Sequence, residues 1–154
     1  MSRAFVKEQD VEALEELADR LISPYPNHVT KEGMKLLELM LETAREAHAT
    51  AIQAHDRSAL AVASRDLRYW SARRASARVI PSPTDTTEVR FGSSVSIRRS
   101  DGREQTFRIV GEDEADPPQG TISHASPLAR ALMGKGLRDV AKLGTTEVEI
   151  LAIR

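Results

Sequence analysis

The chain has no cysteine, so disulfides, thiol nucleophiles and thiolate metal ligands are excluded. Aromatic residues are scarce, at 4% of 154 residues, and only one of them is a tryptophan. No apolar run approaches a membrane span, and the first residues lack a signal-peptide core, so we expect a cytoplasmic protein without membrane contact. The formal net charge is only −1, which excludes a strongly basic binder of free nucleic acid. Any nucleic-acid contact is therefore expected within a protein complex.

The residues that are present, 40% apolar and 29% charged, describe a soluble chain of one domain or two small ones. Residues 1–28 form a polar tail. Within it, Asp10 to Leu21 has helical spacing but little apolar surface, so a short acidic helix and a tail without regular structure both stay open. The prolines of Ser23-Pro-Tyr-Pro-Asn27 interrupt any helix at that point.

Residues 29–80 predict an antiparallel α-helical coiled-coil hairpin. Mostly apolar residues recur at alternating spacings of three and four in both arms, which indicates a seam on each arm. These positions are Met34, Leu37, Leu41, Ala44, His48 and Ala51, then Leu60, Ala63, Leu67, Trp70, Arg74 and Ala77. Thr30 is a suitable N-cap for the first arm, and either Asp56 or Ser58 for the second. The alternative is two helices packed on the rest of the chain without a projecting rod.

The turn of this hairpin is predicted near residue 56, where His55, Asp56 and Arg57 form the most polar break in the pattern. That register places Leu41 opposite about Ala72. Tyr69 and Trp70 are interpreted as core residues at the hairpin base. Prolines 81 and 83 end the second arm, and residues 81–87 are predicted to be a linker.

Residues 88–154 predict a compact α+β domain, an antiparallel sheet with one helix packed across it. Strands are expected at 89–98 and 106–110, joined by a turn at Ser100-Asp-Gly102, and at 121–123 and 146–153. The helix is expected to begin at Ser126, with Pro127 in its first position, and to stop at Gly134. The whole chain is therefore α+β, with a helical hairpin followed by a sheet domain.

This domain contains two sequence strings that are specific enough to indicate a family. They are Phe107-Arg-Ile-Val-Gly-Glu-Asp-Glu-Ala-Asp116 and Ser126-Pro-Leu-Ala-Arg-Ala-Leu-Met-Gly-Lys135. In this order they resemble the C-terminal domain of the GreA/GreB family of bacterial transcription elongation factors. The resemblance implies an FKBP-like fold that serves as a docking module and not as an isomerase. It also implies a partner, RNA polymerase, whose largest-subunit coiled coil at the secondary channel rim would contact a short loop. Carried over by position, the docking residues are Ser123, Ala125, Ser126, Pro127 and Leu128.

One departure from the family concerns the hairpin tip. Relatives that stimulate RNA cleavage present two tip carboxylates that help to hold the second Mg²⁺ of the polymerase. Between Glu46 and Asp66 this chain has only Asp56, and arms of some 25 residues span on the order of 37 Å. The chain thus resembles a short-hairpin branch of the family, and we expect no enzymatic activity, no catalytic residue, no metal and no cofactor. The alternative is an interaction protein resembling the regulator of nucleoside diphosphate kinase.

Each of two charged clusters can be interpreted either as structural or solvated surface or as a binding site. Five arginines near the second arm form a solvated face or, as the family resemblance implies, a surface that meets nascent RNA or DNA within the polymerase complex. They are Arg65, Arg68, Arg73, Arg74 and Arg78. The acidic run of Glu112, Asp113, Glu114 and Asp116 lacks the pattern of a calcium loop. Since the family resemblance is strongest here, a structural role at the strand exit together with polymerase contact is favoured over metal binding.

Overall fold

The computed structural model describes residues 17–154, which pack as two compact units. One unit contains the described residues 17–24 together with Leu37–Ser76. The other contains Tyr25–Leu36 and Ala77–Arg154. These boundaries differ from the expected ones, because residues 25–36 and the expected linker 81–87 lie inside the second unit. The proposed helix over 10–21 falls mostly outside the described residues, and its described part, 17–21, is not helical.

Two long helices account for most of the first unit: α1, Lys31–Gln53, and α2, Arg57–Ser76. The predicted seam of α1 is confirmed, since Leu37, Leu41, Ala44 and Ala51 are its buried apolar positions. In α2 the seam runs through Ala63 and Trp70 as predicted and then through Arg73 instead of Arg74. A step of three from Trp70 keeps Arg73 on the buried stripe, whereas Arg74 turns outward and pairs with Glu38 at 3.1 Å.

A five-stranded sheet forms the body of the second unit. Its strands are β3, Ser94–Arg99; β4, Glu104–Val110; β5, Thr121–Ser123; β6, Val140–Leu143; and β7, Thr146–Ile153, in the order β5-β4-β3-β7-β6. Two further strands, β1 at His28–Val29 and β2 at Arg78–Val79, form a separate parallel pair. A 3-10 turn covers Pro117–Gln119, and helix α3 covers Pro127–Leu132.

The predicted α+β fold class is confirmed, with two corrections in detail. The sheet is not purely antiparallel, because β5 pairs in parallel with β4. The first sheet strand begins at Ser94, five residues later than expected, since the chain turns at Gly92 with φ of 88°. Strand β6 was not predicted. The strands at 121–123 and 146–153, the turn at Gly102 and the Pro127 start of α3 agree with the sequence.

The core of this unit lies between one face of the sheet and α3. Alternating residues of the strands point into it, among them Val95 and Ile97 of β3 and Val148 and Ile150 of β7, each at most 1% exposed. Leu132 of α3 closes the other side. None of the helices between residues 17 and 154 is both long and apolar enough to cross a membrane.

Candidate functional site

The loop at residues 123–128 is held by hydrogen bonds of its own serines. The Ser123 hydroxyl accepts from the Ala125 N–H at 3.0 Å, and the Ser126 hydroxyl accepts from the Ala129 N–H at 3.3 Å. Ser126 is thus the N-cap of α3, and Pro127 follows in a position where a missing N–H costs nothing. The predicted docking residues therefore form one ordered, partly exposed loop.

Within this loop, Pro127 and Leu128 differ in exposure. Pro127 is exposed, whereas Leu128 is half-buried and packs against the hydrophobic core of the sheet. A charged substitution at Leu128 would therefore disturb the core as well as the surface. Pro127 is the better probe of surface contacts.

The ring of His124, within this loop, packs with two other rings, an arrangement that the sequence did not predict. His124 stacks on His28 with ring centroids 5.7 Å apart, and Phe91 lies edge-on to both rings, 5.6 Å from His124 and 5.9 Å from His28. Nearby in the same unit, the Arg130 guanidinium lies 5.6 Å from the ring centroid of Tyr25. No sequence pattern could reveal these contacts, because the partners are far apart in the chain.

The start of α1 is capped by a carboxylate from the loop after β4. Glu114 accepts from the Thr30 N–H at 2.9 Å, from the Thr30 hydroxyl and from the Gly111 N–H at 3.1 Å. The Thr30 hydroxyl in turn accepts from the Gly33 N–H at 3.0 Å, so the predicted N-cap is confirmed. A negative charge at a helix N-terminus is favourable, and Glu114 has the structural role expected for this run.

Two glycines leave room for the Glu114 carboxylate. A Cβ atom at Gly33 would lie 2.0 Å from Glu114 Oε2, and one at Gly111 would lie 2.6 Å from the His28 carbonyl oxygen. Gly111 therefore requires glycine because backbone approaches it, whereas a larger residue at Gly33 would displace the Glu114 carboxylate.

The helix hairpin turns at His55 and Asp56, as predicted. His55 adopts a left-handed conformation with φ of 50°. The Asp56 carboxylate accepts from the Ala59 N–H at 3.0 Å, so Asp56 is the cap of α2 in preference to Ser58. Arg57 begins that helix. Between residues 17 and 154 no group of three or more acidic or histidine side chains could hold a metal ion.

The five arginines predicted as an RNA-facing patch are not equivalent. Arg73 is 2% exposed, which contradicts a role on the surface, because the buried stripe of α2 passes through it. Arg68 and Arg74 are exposed or half-exposed but are paired with acids, and Arg65 lies 3.6 Å from Asp66. Arg78 is exposed and belongs to β2 of the other unit.

The segment before α1 also contacts α2, which the sequence did not predict. Asp19 accepts from Arg68 at 2.7 Å. The Arg20 guanidinium lies 3.8 Å from the ring centroid of Tyr69 and 5.2 Å from that of Trp70, and it donates to Asp66 at 3.4 Å. As predicted, Trp70 is buried, at 8% exposure.

Comparison of the sequence with known proteins gives matches to one family. A family model described as "Transcription elongation factor, GreA/GreB, C-term" matches residues 84–154. Transcription elongation factor GreA of Chloroflexus aurantiacus is 33% identical over 153 residues, covering 84% of this chain and 98% of the relative. GreB of Neisseria meningitidis serogroup A is 42% identical over 95 residues, 58% of each chain. Among solved structures, GreA factor homolog 1 (Gfh1) of Thermus thermophilus is 24% identical, with a TM-score of 0.40 over 84% of this chain and 99% of that one.

Proposed function

This chain belongs to the GreA/GreB family of transcription elongation factors, and on that basis we propose that it binds RNA polymerase through its C-terminal domain without stimulating RNA cleavage. The observation that carries the first part is the family match over 84–154, which includes the whole loop at 123–128. That loop is partly exposed and is fixed by the Ser126 cap, so it can meet a partner without first being ordered.

The docking contact is assigned to Ser123, Ala125, Ser126 and Pro127, with the largest-subunit coiled coil at the secondary channel rim as the partner surface. Leu128 contributes through the core rather than by direct contact. Arg130 and Tyr25 extend the same surface, since both are exposed and lie against each other.

The tip of the hairpin supports the second part of the proposal. A second Mg²⁺ needs converging oxygen ligands. The tip offers one carboxylate, Asp56, which already accepts a hydrogen bond from the Ala59 N–H and has His55 and Arg57 as neighbours. Helices of 23 and 20 residues are about 34 and 30 Å long, shorter than the sequence estimate. The hairpin would then occupy the channel without delivering a metal.

No enzymatic activity of its own is proposed. A cavity of about 690 Å³ in the second unit is lined by Pro81, Pro83, Met133 and other residues, with Phe91 as its one aromatic hydrocarbon ring. A proline isomerase pocket needs a ring of aromatics, so this cavity does not fit that reaction. Contact with transcript RNA is assigned to exposed arginines of α2, without Arg73.

Binding to purified core RNA polymerase tests the proposal. Pro127→Glu should weaken retention of the full-length chain by polymerase at least tenfold, while the fold is kept because an acid suits the first turn of a helix. Pro118→Glu is the matched control, the same substitution at an exposed proline in the same domain, and should bind like the wild type. Equal retention of all three proteins would show that the loop is not the docking surface. No retention of the wild type would favour a partner other than polymerase.

A further inference from the structure

Residues 17–24, which we call the strap, contact α2 through two neighbouring side chains, Asp19 and Arg20. The Asp19 carboxylate accepts a hydrogen bond from the Arg68 Nε–H at 2.7 Å. One residue further on, the planar Arg20 guanidinium covers the face of the Tyr69 ring at 3.8 Å. The strap thus places the Asp19 carboxylate against the Arg68 cation and, beside it, the flat Arg20 guanidinium against the Tyr69 ring.

The surface beneath the strap has the chemistry of a single-strand binding face. Arg68 and Tyr69 lie three and four positions after Arg65 in α2, so both are its neighbours on that side of the helix. Proteins bind single-stranded nucleic acid by cations that meet phosphates and by aromatic rings on which bases stack. Asp19 occupies the place of a phosphate on Arg68, and Arg20 occupies the place of a base on Tyr69.

We propose that the strap is an intramolecular stand-in for single-stranded RNA, which covers an RNA-binding face of α2 and is displaced when RNA binds there. The proposal deepens the assigned contact with transcript RNA and rests on it for its place in transcription. The competition itself requires only this chain and RNA.

The strap is held in a way that permits displacement. Its two large apolar residues do not anchor it, because Leu21 is 94% exposed and Ile22 is 49% exposed. The Asp19–Arg68 ion pair is open to solvent, with those side chains 68% and 54% exposed. The second ion pair, Arg20–Asp66, is longer, at 3.4 Å, with side chains 37% and 32% exposed. Such pairs are weak and screened by salt, whereas an RNA strand brings several phosphates at once.

Anisotropy of a labelled single-stranded RNA at low salt, with the full-length chain, tests the proposal. Asp19→Asn removes the phosphate mimic and should raise RNA affinity several-fold. Glu46→Gln makes the same charge change at an exposed position of α1 and should raise affinity much less. Combining Asp19→Asn with Arg68→Gln should abolish the gain, because the uncovered cation is then missing.

Trp70, the single tryptophan, gives a second readout, since Arg20 lies 5.2 Å from its ring. RNA should change Trp70 emission in the wild type, and Asp19→Asn should show part of that change before RNA is added. Equal gains for Asp19→Asn and Glu46→Gln, or no gain for either, would overturn the proposal. Tighter binding of polyglutamate than of RNA would overturn it in favour of an acidic protein segment.

Binding to core polymerase separates this proposal from the docking proposal. Asp19→Asn leaves residues 123–128 unchanged and should be retained by polymerase like the wild type. A several-fold RNA gain in a chain that polymerase does not retain would support the strap and contradict the docking surface. Normal retention by polymerase without a gain in RNA affinity would support the docking surface and contradict the strap proposal.

Discussion

Thr30 and Glu114 lie 84 residues apart in the chain, and the Glu114 carboxylate accepts both the backbone N–H and the hydroxyl of Thr30. The first turn of a helix has N–H groups without partners inside the helix, and Glu114 satisfies one of them from outside. Because Thr30 is 2% exposed, water cannot easily replace that acceptor. The pair therefore ties the start of α1 to the loop after β4.

Replacing this carboxylate should destabilise the protein. Glu114→Ala leaves the N–H groups of Thr30 and Gly111 without an acceptor and should lower the free energy of unfolding by about 2 kcal/mol. Asp116→Ala is the matched control at an exposed acid of the same run, and should change it by less than about 0.5 kcal/mol. Urea denaturation followed by circular dichroism measures both. Similar values for the two variants would contradict the capping role.

Trp70 should contribute strongly to the stability of the hairpin unit. Its side chain is 8% exposed, and deletion of a large buried aromatic side chain costs about 3–5 kcal/mol, so Trp70→Ala should lower the free energy of unfolding by that amount. Leu39→Ala, at a 62% exposed position of α1, should cost little. Thermal and urea unfolding measure the loss of stability in the Trp70→Ala and Leu39→Ala variants. A loss below about 1 kcal/mol for Trp70→Ala would show that the ring is available to a partner.

RNA cleavage by backtracked polymerase should not increase when this chain is added. The tip has one carboxylate, Asp56, whereas a second Mg²⁺ needs at least two converging oxygen ligands from the factor. Labelled RNA in a backtracked complex with Mg²⁺ should shorten at the intrinsic rate of the polymerase, and excess chain should inhibit a cleavage-competent GreA by competition. Stimulated cleavage that Asp56→Asn removes would show that one carboxylate suffices. Stimulated cleavage that Asp56→Asn leaves intact would place another acid at the metal.

In the segment before the sheet, the pKa of the Asp85 carboxyl is lowered by a hydrogen bond from the Thr87 hydroxyl. A hydrogen bond from the Thr87 hydroxyl, at 2.7 Å, and a second from the Thr87 N–H hold the pKa of Asp85 below its ordinary value. A lowered pKa in the folded state stabilises the fold above the ordinary pKa of the group, and this stability is lost as pH falls through the lowered value. Thr87→Val should raise the pKa of Asp85, because the hydroxyl donor is lost while the Thr87 N–H and the Arg90 guanidinium remain.

Titration of the carboxyl carbons by NMR measures this shift. Asp101, whose pKa is lowered mainly by the Arg103 N–H, is an internal control and should titrate unchanged in Thr87→Val. An unchanged Asp85 would show that the hydroxyl does not set its pKa.

Short-range features of this protein followed from the sequence alone. The seam of α1, the Thr30 and Ser126 caps, the turn at His55 and Asp56 and the strand at 146–153 each depend on residues within a few positions of one another. Helical spacing, hydroxyl or carboxylate caps and period-two alternation determine such features locally. The two strings at 107–116 and 126–135 were likewise enough to indicate the family, and the docking loop that they imply stays a prediction.

Contacts between distant segments were decided only by the tertiary structure. The strap on α2, the rings of His28, Phe91 and His124, and the carboxylate of Glu114 on Thr30 join residues whose separation in sequence carries no periodic signal. The parallel pairing of β5 with β4 also depends on how the chain returns to the sheet. Arg73 shows the same limit within a helix, since spacings of three and four are both helical and only packing against neighbours selects the buried residue.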